Sequence, residues 1–301
     1  MFEAADVDRD PASVPLAELD RLWDFDDPAA SERRFAALLP RARNEHGGAV
    51  LTETLTQLAR ARGLQRRFDE ADATLDDAEA ALRPDDARGR VRIHLERGRV
   101  ANTAGREGRG RASFLSAWEL ASAADEDGLA VDAAHMLGIV EAGDEGTRWN
   151  ERAMELARSS PDPDARRWVG SLASNMGWAR HDTGDDDGAI ALFELARDEW
   201  LADGRVDRAR VARWSIARCL RSRGDVDDAL GAQETLLAEL DDLGETDGYV
   251  VEEIAECLLT LGRADDARPF FARAYAELGE DPQLRADEPE RLDRLRSLGS
   301  S

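Results

Sequence analysis

Two stretches of the chain decide the fold. They are residues 175–196, NMGWARHDTGDDDGAIALFELA, and residues 254–274, IAECLLTLGRADDARPFFARA. Each has a small residue, a second small residue twelve positions later, a large residue after four more positions and a third small residue after a further three. Because residues at i, i+4 and i+7 share one face of an α-helix, the last three positions form a single stripe. The long offset between the first two small residues predicts a pair of helices that meet across a short turn.

This four-position pattern, here called the repeat frame, recurs six times at intervals of 38 to 40 residues. The first small positions are Ala59, Gly98, Gly138, Gly177, Ala217 and Ala255. The second small positions are Ala71, Gly110, Asn150, Ala189, Ala229 and Ala267. The large positions are Leu75, Phe114, Met154, Phe193, Gln233 and Phe271. The third small positions are Ala78, Ala117, Ala157, Ala196, Leu236 and Ala274. Small residues let two helices approach closely, and a large residue fills the space beside them.

The frame predicts an all-α chain of stacked helical hairpins. Three residues depart from it, namely Asn150, Gln233 and Leu236. A weaker seventh copy precedes the six, at Leu19, Ser31, Phe35 and Leu38. Glycine, which tolerates the positive φ of a helix end, follows the first small residue by seven positions at Gly105, Gly184, Gly224 and Gly262. One hairpin cannot bury its own apolar stripe but stacked hairpins can, which predicts an α-solenoid of six to seven antiparallel hairpins.

With glycine in the turn, the repeat frame resembles the tetratricopeptide repeat (TPR) over roughly residues 48–280. The usual repeat has about 34 residues, so the spacing of 38 to 40 residues implies longer helices or loops. The resemblance implies a right-handed superhelix in which the first helix of each hairpin lines a concave groove. Repeats of this length also resemble the sensor domains of some bacterial regulators.

The frame sets the expected domain boundaries. Residues 1–46 are expected to form N-terminal helices, as a degenerate first repeat or cap. Residues 47–281 are expected to hold the six repeats, at about 52–84, 90–125, 129–160, 165–203, 207–243 and 247–280. Residues 282–301 are expected to form a C-terminal capping helix and tail. The whole is expected to be one continuous solenoid.

Composition excludes several classes of protein. The chain has 301 residues, 64 acidic and 40 basic side chains and a net charge of −24, and every basic residue is arginine. Nucleic acids and anionic membrane surfaces both require a basic footprint, so neither is an expected partner. No segment has the pattern of a secretory signal or a membrane helix. With only two cysteines, Cys219 and Cys257, these features predict a cytoplasmic protein.

The charge is unevenly spread along the chain. Residues 83–111 contain nine arginines against four acids, whereas residues 221–256 contain two arginines against twelve acids. Arginine and exposed aromatic residues carry much of the binding energy of interfaces. We therefore expect the groove to hold a peptide or protein partner with anionic groups. The candidate contact residues are Arg99, Asn102, Asn175, Trp178, Trp214, Arg218 and Arg221.

An alternative interpretation of the same residues is that both tryptophans pack between hairpins and that the arginines pair with neighbouring acids. The segment 183–194 matches an EF-hand loop in part, but it coincides with a predicted turn and helix start. The four histidines are scattered without metal-ligand spacing, so neither a metal nor another cofactor is expected. No nucleophile elbow or ordered triad is present.

The sequence therefore predicts a non-catalytic TPR protein that acts as a scaffold or adaptor. The alternative is a regulatory sensor subunit of a bacterial signalling or transcription system that responds to a peptide or small molecule. A homodimer through the terminal repeats is a further candidate assembly.

Overall fold

The structure, a computed structural model, describes residues 19–44, 48–141 and 143–300. Over these residues it contains helices and no strands. A 3-10 turn, Asp20–Leu22, comes first. The α-helices then follow in chain order: α1 (Pro28–Asn44), α2 (Ala49–Leu64), α3 (Phe68–Ala81), α4 (Ala87–Thr103), α5 (Glu107–Ala123), α6 (Asp127–Val140), α7 (Gly143–Ser159), α8 (Pro163–Arg166), α9 (Val169–Asp182), α10 (Asp186–Ala202), α11 (Val206–Arg223), α12 (Val226–Leu243), α13 (Gly248–Thr260), α14 (Ala264–Leu278), α15 (Pro282–Asp287) and α16 (Pro289–Ser300).

The chain divides into two compact units, up to Trp168 and from Val169 onwards. The first unit contains α1, the hairpins α2/α3, α4/α5 and α6/α7, and the short helix α8. The second unit contains the hairpins α9/α10, α11/α12 and α13/α14, followed by α15 and α16, of which α16 packs on α14. In both units the second helix of one hairpin also packs on the first helix of the next. The helical hairpins predicted from the frame are confirmed.

The boundary between the units lies in the connection between α7 and α9. The sequence predicts one continuous solenoid with a fourth repeat from residue 165, but the helix that opens this repeat begins at Val169. Asp162 starts α8 by accepting a hydrogen bond from the backbone nitrogen of Asp164, and Pro163 follows it at the first helical position. The short helix α8 packs on α6 and α7, so this connection belongs to the first unit.

The small positions of the frame are where the two helices of a hairpin meet. A Cβ atom on Gly98 would lie 2.3 Å from Cε1 of Phe114, and one on Gly177 would lie 2.9 Å from Cε1 of Phe193. Each aromatic ring therefore occupies the space that a side chain on the facing glycine would need. Phe114 and Phe193 are both fully buried, so the contact forms the interior of its hairpin.

The residues that depart from the frame are accommodated by their neighbours. Asn150 lies opposite Gly138, where a Cβ would come within 2.3 Å of the Asn150 Oδ1 atom. The Asn150 side chain therefore occupies the space that a side chain on Gly138 would need. Gln233 is fully buried at a large position, and its Nε2 donates a hydrogen bond to the backbone carbonyl of Trp214 at 3.3 Å. That bond satisfies one end of a side chain that would otherwise be costly to bury.

Both ends of the described chain add apolar contacts to the hairpins. Near the N-terminus, Leu19 and Phe35 are buried and pack with α2, while residues 1–18 and 45–47 lie outside the described residues. At the other end, α16 buries Leu292 and Leu295. A Cβ on Gly299 would lie 2.7 Å from the backbone of Ala272 in α14, which shows how closely the two helices pack. Among the described helices none is long and apolar enough to cross a membrane.

Filling the space at a small position is expected to disrupt a hairpin. We predict that Gly177→Leu lowers the free energy of unfolding by at least about 1–3 kcal/mol, because the new side chain collides with the buried Phe193 ring. The matched control is Ala179→Leu, an exposed position on the same helix, which should leave stability nearly unchanged. Urea unfolding followed by circular dichroism measures both, and equal midpoints for Gly177→Leu and wild type would show that the frame is wrong.

Two glycines of the α11/α12 hairpin should respond in opposite directions to alanine. Gly224 ends α11 with a φ of +102°, so Gly224→Ala should cost about 1 kcal/mol for placing a Cβ in the left-handed region. Gly231 lies inside α12 with no heavy atom within 4 Å of a Cβ built on it, so Gly231→Ala should stabilise by about 0.5–1 kcal/mol. Thermal unfolding of the two variants gives both signs, and shifts of equal sign would contradict this assignment of the turn.

Candidate functional site

The predicted contact residues all lie on the first helices of hairpins, but they fall in both units. Arg99 and Asn102 lie on α4 in the first unit. The other five lie in the second unit, with Asn175 and Trp178 on α9 and Trp214, Arg218 and Arg221 on α11.

Three aromatic side chains form a continuous row on the first helices of the second unit. The ring centroids of Trp178 and Trp214 are 5.8 Å apart, and those of Trp214 and Tyr249 are 6.2 Å apart. We call these three residues the aromatic row. The Nε1 of Trp214 donates a hydrogen bond to the backbone carbonyl of Tyr249 at 3.1 Å, and Trp178 packs edge-on against the frame residue Phe193. These contacts fix the orientation of both indole rings.

The aromatic row combines packing with exposure. Trp178 and Trp214 are half-buried and Tyr249 is 38% exposed. Each of the two alternatives left by the sequence therefore describes part of the site. The rings pack against one another and against the hairpin interior, and they also keep surface in contact with solvent. Asn175, one turn before Trp178, is exposed.

The row crosses the first helices diagonally. Trp178 follows the first small position of its repeat by one residue, Trp214 precedes its own by three, and Tyr249 precedes its own by six. The contact point thus shifts by about one helical turn per hairpin. Tyr249 was not among the candidate contact residues, because its contact with Trp214 depends on how α11 and α13 pack rather than on the frame.

The positive charge beside the aromatic row is only partly neutralised. Glu253 on α13 is 1% exposed and receives hydrogen bonds from Nε and Nη2 of Arg221. The Nη1 of Arg218 is 3.7 Å from the same carboxylate. Two guanidinium groups therefore share one carboxylate. Arg218 keeps 38% of its side chain exposed, and its Cζ lies 5.7 Å from the ring centroid of Trp214, so an anionic group of a ligand could approach it beside the indole.

In the first unit the corresponding helices carry a buried ionic network. Glu53, Arg92 and Asp132 each lie six residues before the first small position of successive repeats, so the sign of the charge alternates along one register. The Nε of Arg92 is 2.9 Å from Glu53 and its Nη1 is 4.0 Å from Asp132. Both carboxylates are buried. The alternation is visible in the sequence once the frame is known, although the acids were not among the candidate residues.

Arg99 belongs to this network. It donates hydrogen bonds to Glu96 in its own helix and to Asp132 in α6, both at 2.5 Å, and its side chain is only 14% exposed. Burial acts to raise the pKa of Asp132, but the charges of Arg99 and Arg92 and the hydrogen bond from Arg99 outweigh it and hold that pKa below its usual range. At Arg99 the pairing alternative therefore applies, and its charge is already matched by acids of the first unit.

Asn102 lies beside a small recess next to this network. The recess has a volume of about 190 Å³ and is lined by Arg60, Leu64, Arg99, Asn102 and Met136 among others. The Nε of Arg60 is buried and has no hydrogen-bond partner in the described part of the chain. The recess therefore has both polar and apolar side chains in its lining.

One group of side chains in the described residues could hold a metal ion. It consists of His181, Asp186 and Cys219, whose ligand atoms lie within 4.8 Å of one another.

No family model and no curated protein matches the chain. Solved structures do resemble it. NprR in complex with its cognate peptide NprX superposes with a TM-score of 0.52 at 15% identity, covering 94% of this chain and 81% of that one. Rap protein complexed with Competence and Sporulation Factor gives 0.51 at 14% identity, with 95% and 96% covered. A tetratricopeptide repeat protein from Parabacteroides merdae ATCC 43184 gives 0.50 at 16% identity, with 95% and 99% covered.

These likenesses, together with the stacked hairpins, define the fold. The chain has the helical-repeat fold of TPR proteins, with repeats of 38 to 40 residues.

The buried network of the first unit makes a testable prediction about Asp132. We expect Asp132→Asn to lower the free energy of unfolding by about 3–5 kcal/mol, because Arg92 and Arg99 lose a buried counter-charge. The control is Glu145→Gln in the same unit, whose ion pair with Arg148 is largely exposed and should be worth at most about 1 kcal/mol. Urea unfolding followed by circular dichroism gives the free energy of unfolding of both variants.

The pH dependence supplies an independent check. A depressed native pKa means that the Asp132 carboxylate stabilises the fold above its unfolded pKa of about 3.9 and loses this effect as the pH falls through the lower native value. The Asn variant should therefore lose less stability on acidification than wild type. Equal acid sensitivity of the two proteins would rule out this role for Asp132.

Proposed function

We propose that the chain is a non-catalytic TPR-type protein that binds a peptide or a peptide segment of a protein along the first helices of the second unit, and that it acts as a scaffold or adaptor. The observation that carries the proposal is the aromatic row, Trp178, Trp214 and Tyr249, with Arg218 beside it. Partly exposed tryptophans held by their own packing offer a large apolar surface at a low entropic cost.

The chemistry of the row indicates what the partner contains. Indole and phenol rings accept apolar side chains, and aromatic anchors of this kind commonly dominate interface energetics. The Arg218 guanidinium can pair with a carboxylate or another anionic group. We therefore propose a partner segment with apolar residues that contact the rings and at least one acid placed to reach Arg218.

The resemblance to peptide complexes supports this proposal. The NprR structure contains the cognate peptide NprX, and the Rap structure contains Competence and Sporulation Factor. For this chain, a peptide ligand in the same kind of fold is consistent with the aromatic row.

The network around Arg99 has a different proposed role, which is to hold α4 and α6 together. Free buried cysteines support a reducing compartment, and we propose a cytoplasmic location.

The same likeness to NprR and Rap favours a second candidate, a sensor that responds to its peptide. A scaffold need not change shape when it binds, whereas a sensor must bind differently to two conformations. Small-angle scattering with and without a saturating peptide separates the two. An unchanged radius of gyration favours the scaffold, and compaction favours the sensor.

We predict that loss of the two tryptophans weakens the binding of peptides to the aromatic row. Peptides selected from a randomised displayed library against the full chain supply the ligand, and fluorescence anisotropy measures its Kd. Trp178→Ala with Trp214→Ala should cost at least about 2 kcal/mol, which is about 30-fold in Kd. Arg218→Gln should weaken the binding of acidic peptides and should make that binding less dependent on salt concentration.

The matched control is Trp118→Ala. Trp118 lies on the second helix α5, is also half-buried and packs edge-on against Trp149. This variant should bind the selected peptides as wild type does. If the double variant keeps its helical circular dichroism and still binds the peptides with wild-type affinity, the proposal is wrong.

A further inference from the structure

Three potential ligand atoms meet where the α9/α10 turn contacts α11. His181 comes from the last turn of α9, Asp186 from the start of α10 and Cys219 from α11. The Nδ1 of His181 is 2.6 Å from Oδ1 of Asp186 and 3.6 Å from Sγ of Cys219. All three ligand atoms lie within 4.8 Å of one another. The group therefore brings imidazole, carboxylate and thiol donors from three helices to one point.

The distances fit a tetrahedral ion closely at one edge. Zn–S and Zn–N bonds of about 2.3 and 2.05 Å at a tetrahedral angle place sulfur and nitrogen about 3.6 Å apart, which is the separation between Cys219 and His181. The corresponding N···O separation is about 3.4 Å. The His181–Asp186 pair is closer because the two side chains share a hydrogen bond. Along this edge, metal entry therefore requires the nitrogen and the oxygen to separate by about 0.8 Å.

The position combines shielding with access. Cys219 is fully buried, whereas His181 and Asp186 keep 15% and 14% of their side chains exposed. An ion could therefore enter from the partly exposed side, where the imidazole and carboxylate lie, and reach the buried thiol. The His181 ring is held edge-on by Trp178 at a centroid distance of 5.6 Å, which restricts its rotation.

We propose that His181 Nδ1, Asp186 Oδ1 and Cys219 Sγ form a binding site for a divalent metal ion of the zinc class. Thiolate and imidazole together select zinc-like ions over Mg²⁺ or Ca²⁺. Three protein ligands leave one tetrahedral position for water. Coordination requires the thiolate, so the thiol proton leaves to solvent when the ion binds. The ion would link the α9/α10 turn to α11 and thereby stabilise the junction of two hairpins.

The sequence alone does not predict this site, because the three ligands are not spaced as a metal-binding motif. His181 and Asp186 are separated by a turn, and Cys219 belongs to the next repeat. The positions of His181 and Cys219 in the repeat frame explain why they lie close together. His181 lies four residues after the first small position of its repeat, and Cys219 lies two after that of the next.

The chain contains a matched control at the following junction. Cys257 has the same frame position as Cys219 and is also fully buried. Burial raises the pKa of both thiols to about 12, aided by the charge of Asp186 at Cys219 and of Glu253 at Cys257. The residue equivalent to His181 there is Arg221, which cannot ligate a metal. The two cysteines therefore differ chiefly in whether histidine and aspartate complete the site.

The test is a titration of the reduced, chelator-treated full chain with Co²⁺, followed by displacement with Zn²⁺. Wild type and Cys257→Ser should develop a thiolate-to-cobalt charge-transfer band that saturates at one equivalent and disappears with zinc. Cys219→Ser should show no band. Asp186→Asn, a change at a partly exposed ligand, should weaken Co²⁺ binding by more than the roughly 10–100-fold typical of outer-shell partners.

Each outcome decides the proposal. A band in wild type and Cys257→Ser that is lost in Cys219→Ser supports the site, provided that circular dichroism shows the variant folded. If Cys219→Ser does not fold, a saturable wild-type band that Asp186→Asn weakens supports it instead. The absence of a saturable band in wild type, or a band that depends on Cys257, overturns it.

Discussion

The contact between a small residue on one helix and a large residue on the next is the constraint on which the structure depends. Where Gly98 faces Phe114 and Gly177 faces Phe193, the missing side chain and the ring occupy one volume. This contact sets how closely the two helices of a hairpin approach, and it fixes which side of the first helix points away from its partner. The aromatic row and the buried ionic network both lie on sides of first helices that this contact leaves for neighbouring repeats or for ligands.

The sequence predicted the hairpins well because they follow from local and periodic features. The residues at the large positions are buried in every copy, including the polar Gln233. The division into two units was not predicted. It depends on where α8 packs, and no periodic signal in the short segment around Pro163 reports this. A repeat frame of about 40 residues also does not reveal a break of a few residues between two repeats.

The candidate site was predicted less completely, because it depends on which side chains meet between repeats. Trp178 and Trp214 do meet, and Arg218 lies beside them. Arg99 lies in the other unit and is paired with Asp132. The net charge of the chain is −24, yet several of the acids neutralise arginines inside the repeats. A net charge cannot distinguish a buried ion pair from a solvated acid, so the local charge of the site follows only from the contacts of each side chain.

Hydrogen–deuterium exchange of the full chain, with and without a selected peptide, tests the account most directly. A ligand on the aromatic row should slow exchange in the first helices of the second unit, Val169–Asp182, Val206–Arg223 and Gly248–Thr260. The second helices, Asp186–Ala202 and Val226–Leu243, should exchange as they do in the free chain. Protection confined to those second helices or to the first unit would contradict the account.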